Sequence, residues 1–429
     1  MRPIHGGITA PAGFAAAGVK AGIKYPDRKD MALIYSEVPA VTAGSFTTNI
    51  VKAAPVLWDM EIVEKQETAR TVIINAGIAN ACTGQTGIAN CRQTAAIAAA
   101  TLGVEENEVL LGSTGVIGMT LPMEKIEAGV HALAKEKAAT IAAGTQAAEA
   151  IMTTDTVVKE AAVRLVIDGK QVTIGGMAKG AGMICPNMAT LLSYVTTDAN
   201  ISKEALTQAV NEVVADTFNM ITVDGDTSTN DTWLVLANGL AANVMITLPD
   251  DSGKNEGYEI FKDGLYYIGK KLAKMIAADG EGATTLISVN VAGADSKLHA
   301  AKLAKSVAGS NLVKAAVYGR DANWGRIICA LGYAGVDFDP EKVRLSFADQ
   351  AGQVNIYADG CGLPFDEEKV KQLLSADEVV INIDMGSSFA TCQAAKPSEE
   401  GWEAAKFAAT AWGCDLTEDY IKINADYRS

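Results

Sequence analysis

VRLVIDGKQVTI, residues 163–174, sets two apolar runs rich in β-branched residues on either side of Asp168-Gly169. That dipeptide suits the positive φ angles of a two-residue turn, so residues 163–167 and 171–174 are predicted to form the arms of a β-hairpin. Antiparallel pairing here disfavours a purely parallel, doubly wound sheet. Upstream, residues 71–75 and 109–112 read as strands, and residues 121–138 carry helical spacing. Downstream, an apolar run at 189–195 is followed by helical spacing over 203–218 and a long helix over 257–278. Short strands at 343–347, 354–357 and 379–383 then mix with helices. The pattern predicts an α+β body with helices covering sheets, and the acidic loop 249–256 is expected to be an exposed insertion.

The 429 residues, 49% apolar and 20% charged, are enough to bury a large core in two domains or one two-part body. A net charge of −15 repels phosphate backbones, and no basic stripe is interleaved with aromatics, so nucleic-acid binding is not expected. Lys20 and Lys24 interrupt the small-residue run near the N-terminus, which resembles neither a secretory signal nor a transit peptide. No run approaches the roughly 18 apolar residues of a membrane-spanning helix. A soluble, cytoplasmic protein is expected. Seven cysteines without a CxxC pair, and three histidines, give no disulfide framework and no metal site.

The common devices of catalysis are also missing. There is no G-x-S-x-G elbow and no phosphate-binding G-x-x-x-x-G-K-[ST] loop, and the glycines of GGMAKGAG do not follow the dinucleotide-binding order. His5, His131 and His299 stand in ordinary contexts, with His131 inside a helical pattern. What remains is GMAKGAGMICPNMATLLSYVTTDA, residues 176–199, where a lysine and a glycine-rich turn lead into Ala189-Thr190. In isolation, Ala-Thr-Leu-Leu reads as ordinary strand.

The segment resembles the self-cleavage region of the ornithine acetyltransferase family, whose peptide bond before the threonine of A-T-L-L or A-T-M-L breaks autocatalytically. Further blocks appear in family order: SFTTNIVKAAPV (45–56), STGVIG (113–118), TSTNDT (227–232), DGEGAT (279–284), GRDANWGRI (319–327) and the terminal NADYRS (424–429). One block departs, since NAGIANACTG (75–84) carries Ala76 and Ile78 where the family pattern has Ser and Asn.

The chemistry implied is self-consistent. A threonine hydroxyl needs a nearby base, and a cut before Thr190 would free an α-amine of pKa about 7.7 to 8.0, far closer to neutrality than a lysine at about 10.4. The resemblance makes Thr190 the nucleophile, Ala189 the residue before the cut, and Thr114 and Gly115 the oxyanion-stabilising pair. It gives substrate contacts to Lys179, which suits a carboxylate, and Glu281, which suits an ammonium group. Thr153, Asn424 and Ser429 complete the set, with Thr154 an alternative register for Thr153. The C-terminal tail is therefore expected to be docked.

The implied reaction moves acetyl from N-acetylornithine to Thr190 and then to glutamate, with no cofactor. Acetyl-CoA as a second donor is left open. The implied fold is two stacked sheets flanked by helices, as in self-processing aminopeptidases, with a smaller C-terminal portion. Residues 1–189 and 190–429 would stay together as α and β chains in an α2β2 assembly. Two other readings stay open at this point: a self-processing aminopeptidase, in which water takes the acyl group, and an uncleaved amino-acid-binding protein.

Overall fold

A computed structural model describes residues 1–185, 191–249, 255–349, 352–386 and 407–425. The chain divides into two compact units, Met1–Asn219 with Asp226–Ile276, and Met220–Gly225 with Ala277–Ser429. The predicted insertion at 249–256 falls mostly outside the described residues.

The first unit contains strands β1 (Arg2–Ile4), β2 (Phe14–Val19), β3 (Met31–Phe46), β4 (Thr68–Ile78), β5 (Val109–Val116), β6 (Lys159–Ile167), β7 (Lys170–Lys179), β8 (Leu192–Thr197) and β9 (Thr232–Ala237). Its helices are α1 (Ala54–Lys65), α2 (Gly84–Leu102), α3 (Met123–Glu136), α4 (Ile141–Ala150), α5 (Lys203–Asp216) and α6 (Glu256–Ala278). The predicted hairpin is β6–β7, and its turn has Asp168 and Gly169 at φ 49° and 75°. Both angles lie in the left-handed region that a tight hairpin turn requires.

Strand order is β1-β6-β7-β8-β9-β3-β4-β5, with β2 also on β3. The long β3 forks the sheet. Its residues 31–36 pair with β2 and its residues 41–46 with β9, while β4 runs along the opposite edge and the register breaks between Tyr35 and Ala40. The two expected stacked layers are thus arms of one sheet. They share a core that takes Ile34, Ile74 and Leu110 from one arm and Met177, Tyr194 and Leu234 from the other.

Gly112 of β5 allows this stacking, because a Cβ there would lie 2.0 Å from the Tyr194 hydroxyl. The outer face of the β2–β5 arm buries Ile73 and Leu111 against Ala95 and Ala98 of α2 and Val130 and Leu133 of α3. On the other arm, Gly176 of β7 leaves room for Ile268 and Leu272 of α6. Each buried leucine-sized side chain contributes roughly 1.5–3 kcal/mol, so these helix faces are what hold the arms.

The second unit is built on a sheet of β10 (Leu286–Ala292), β11 (Arg344–Ala348), β12 (Gln353–Ala358), β13 (Cys361–Gly362), β14 (Glu378–Asp384) and β15 (Ala409–Cys414), in the order β13-β12-β11-β14-β10-β15. Only β10 and β14 pair in parallel among the described strands of this sheet. Helices α7 (Lys297–Ala308), α8 (Asn311–Tyr318), α9 (Trp324–Gly332), α10 (Glu367–Leu373) and α11 (Glu418–Ala425) accompany it. Val289, Ile381, Phe347 and Trp412 are buried in this unit.

Candidate active site

Lys179 closes β7, and Thr114 lies near the end of β5 in the other arm. The lysine Nζ donates to Thr114 Oγ1 at 3.1 Å, and both residues are buried. A donor on Oγ1 uses one of the hydroxyl's acceptor sites and leaves its own proton to be given elsewhere. Next to Thr114, Gly115 has φ +126°, and a Cβ there would meet the Gly77 carbonyl carbon at 2.2 Å. No side chain fits at this crossing. The β4–β5 register also shifts here, with Ile78 set against both Thr114 and Val116.

Beneath the lysine sits Asp155, in the turn between α4 and β6. Its side chain is fully buried. Oδ1 accepts from Lys159 Nζ at 2.7 Å and from the Gly180 N–H at 2.6 Å, and Oδ2 accepts from the Thr153 N–H at 3.0 Å. Burial alone would raise this carboxyl, but the charges of Lys179 and Lys159 and the hydrogen bonds outweigh it and hold it at about 2. Arg28 adds a clamp by donating to the Met152 and Thr153 carbonyls. Thr153 therefore belongs to the same cluster as Lys179, through backbone contacts to Asp155.

The TSTNDT block closes around this cluster. Thr47 Oγ1 donates to the Ser228 carbonyl at 2.8 Å, and Asn49 Nδ2 to the Thr227 carbonyl at 3.0 Å, which joins it to the TTN motif. Thr227 Oγ1 donates to the Cys185 carbonyl at 2.9 Å. Asp231 is fully buried near Lys179, and burial pushes its carboxyl well above the usual range.

In the second unit, Asn424 Nδ2 donates to Glu281 Oε2 at 2.7 Å, with Glu281 buried. Gly282 has φ +70° and lies against the Tyr420 backbone, and its carbonyl accepts from Thr417 Oγ1 at 2.7 Å. Tyr420 OH donates to Asp224 Oδ2 at 3.2 Å. The described part of the tail is docked on the turn that carries Glu281.

Thr114, Gly115, Lys179 and Thr153 thus come together in the first unit, and Glu281 and Asn424 in the second. Ala189, Thr190 and Ser429 lie outside the described residues. Sequence reasoning missed Asp155, Lys159 and the Asn230-Asp231 pair as site residues, although Asp155 follows Thr153-Thr154 directly and the TSTNDT block holds the pair. Among the described residues, no group of three or more His, Cys, Asp or Glu side chains is placed to hold a metal, and no helix is long and apolar enough to cross a membrane.

The family model described as ArgJ matches residues 15–429. The arginine biosynthesis bifunctional protein ArgJ 1 of Clostridium acetobutylicum is 49% identical over 419 residues, covering 97% of this chain and 96% of that protein. Its counterpart in Caldanaerobacter subterraneus is 47% identical over 433 residues, covering 100% of each. Among solved structures, the ornithine acetyltransferase of Mycobacterium tuberculosis complexed with ornithine is 46% identical, covers 44% of this chain and 99% of that one, and has a TM-score of 0.41. A match that runs from β2 to the last residue takes in both compact units, and the chain belongs to the ArgJ family, the ornithine acetyltransferases of arginine biosynthesis.

Proposed function

We propose that the chain transfers acetyl from N-acetylornithine to glutamate through an ester on Thr190. The observation that carries this reading is the buried Lys179–Thr114 hydrogen bond. A cation on Thr114 Oγ1 polarises the hydroxyl, and a polarised donor in a site shielded from water suits an oxygen that becomes negative during acyl transfer. The Gly115 N–H serves as the second donor, and each such donor is worth roughly 3–4 kcal/mol in the transition state.

Processing comes first. Thr190 Oγ attacks the Ala189 carbonyl, the Ala189–Thr190 bond breaks as the acyl group shifts to oxygen, and water hydrolyses the resulting ester. Residues 1–189 and 190–429 result. The pairing of β7 with β8, on opposite sides of the cut, supports their staying together as α and β chains. We assign an α2β2 assembly to the processed protein.

In transfer, the α-amine of Thr190 takes the hydroxyl proton while Oγ attacks the acetyl carbonyl of N-acetylornithine. The tetrahedral oxyanion, held by Thr114 and Gly115, collapses and ornithine leaves as an amine carrying that proton. Glutamate then attacks the ester, and the oxygen of Thr190 recovers a proton. Lys179 takes the substrate carboxylate and Glu281 the ammonium group, with Thr153, Asn424 and Ser429 as the further substrate contacts. An ester on Thr190 does not depend on which donor formed it, so we include acetyl-CoA as a second donor.

The test is to supply N-acetylornithine or acetyl-CoA separately with glutamate and assay the products. N-acetylglutamate with the first donor is expected. Acetate release without N-acetylglutamate would instead identify a hydrolase, with water as the acceptor.

A further inference from the structure

Asn230 is buried beside the Thr114–Gly115 segment of β5 and has all its side-chain groups committed. Its Nδ2 donates to the Ala79 carbonyl at 2.6 Å and to the Ser113 carbonyl at 2.8 Å, and its Oδ1 accepts from Thr229 Oγ1 at 2.7 Å. Ala79 directly follows β4 and Ser113 lies in the last half of the neighbouring β5. One amide therefore holds both, and the hydroxyl of Thr229 fixes which way it faces.

Ser113 is also held from its side chain, since its Oγ donates to Asn75 Oδ1 at 2.6 Å. With carbonyl and side chain both fixed, the Ser113–Thr114 peptide plane has little freedom, and the direction in which Thr114 and Gly115 leave it is set. Two residues beyond Asn230, the Thr232 N–H donates to the Leu191 carbonyl at 3.0 Å, and β9 then runs in parallel register with β8. The same short segment grips the β5 residue before Thr114 at one end and the first described residue after Thr190 at the other.

We infer that Asn230 is a positioning residue that sets the Thr114 and Gly115 donors in register with the start of β8. This rests on the acetyl-transfer reading, which makes those donors part of the chemistry. The competing role is that of an ordinary buried amide satisfying two backbone carbonyls. That role predicts lost stability without a selective loss in the chemical step. A positioning role predicts the reverse, because a displacement of about 1 Å in a catalytic group can cost about 10²-fold in rate.

The experiment uses the processed, full-length protein and two variants, Asn230→Ala and Thr229→Val. Rates are expressed per site that becomes labelled by acetyl-radiolabelled N-acetylornithine, which removes misfolded or unprocessed protein from the count. Asn230→Ala is expected to lower kcat about 10²-fold with KM within a few-fold. Thr229→Val keeps both Asn230 donors and loses only the hydroxyl that orients them, so a several-fold fall in kcat per labelled site is expected in a variant that still folds, with some loss of melting temperature from the orphaned Asn230 oxygen.

If Asn230→Ala does not fold, Thr229→Val decides alone. Unchanged kcat per labelled site in a folded variant, or a change confined to KM, overturns the inference. Failure of the unaltered protein to form N-acetylglutamate would be a failure of the transferase reading instead, and is seen before any variant is compared.

Discussion

Lys179 Nζ and Thr114 Oγ1 lie 3.1 Å apart across the two arms of the forked sheet, 65 residues apart in the chain. The contact makes Thr114 a charge-assisted donor. Thr114→Ala should lower kcat by about two orders of magnitude and leave KM within a few-fold, since an oxyanion donor acts mainly in the transition state. Steady-state kinetics with N-acetylornithine and glutamate check this. A large rise in KM at constant kcat would make Thr114 a ground-state contact.

Asp155 is the anion between two lysines, and its removal leaves both with less compensation. Asp155→Asn should destabilise the fold by about 3–5 kcal/mol at neutral pH, the usual cost of breaking a buried ion pair from one side. The sign with pH follows from a carboxyl held at about 2 when folded, against about 3.9 when unfolded. Its stabilisation is complete above about pH 4 and is lost as pH falls towards 2. The gap in melting temperature between parent and variant should therefore narrow over that window. A gap of equal size at pH 3 and pH 7 would refute the charge role.

The elements that announce themselves by period and turn chemistry were legible in the sequence. The Asp168-Gly169 hairpin, the long helix now bounded as Glu256–Ala278, and the short strands of the second unit all match within a few residues. The strand β3 was not legible, because Pro39 and Gly44 interrupt it and the pairing register slips between Tyr35 and Ala40. Proline marks an irregularity of pairing here, not the end of the element. The fork of the sheet follows from that strand and escaped for the same reason.

The site divides in a similar way. Lys179, Thr114 and Glu281 are reached by resemblance, whereas Asp155 is not. Its role depends on Lys159 and Lys179 converging from two strands, and local spacing carries no record of that. Asn230 shows the same limit, since its partners Ala79 and Ser113 are 151 and 117 residues away.

Asp59, on α1, is an acid kept in the core. One oxygen accepts from the Leu111 N–H at 2.8 Å, the other has no partner among the described residues, and burial raises the carboxyl well above its ordinary range. A raised folded value means stability that falls as pH rises from about 4 towards that value. Asp59→Asn keeps the acceptor and never ionises. It should melt higher than the parent at pH 8, with a smaller advantage or none at pH 4.5. Thermal melts at the two pH values check this, and identical pH dependence of the two proteins would show that Asp59 does not take up a proton on folding.

Thr190 is proposed to use one hydroxyl twice, while the amine that activates it exists only after the cut. Thr190→Ala lacks the oxygen for both steps and should remain a single chain of 44.7 kDa without transfer activity. Thr190→Ser keeps the oxygen but loses the methyl that restricts its χ1 rotamer, so it should cut slowly or incompletely and transfer at a reduced rate in the cut fraction. For the unaltered protein, initial rates against both substrates should give the parallel double-reciprocal lines of a ping-pong scheme. Acetyl-labelled N-acetylornithine alone should leave one label per active site on the fragment that begins at Thr190. Denaturing gels, N-terminal sequencing and label counting measure these outcomes. Intersecting lines with no trapped label would mean direct transfer between two bound substrates, and the covalent role of Thr190 would then have to be abandoned even if the cut itself occurs.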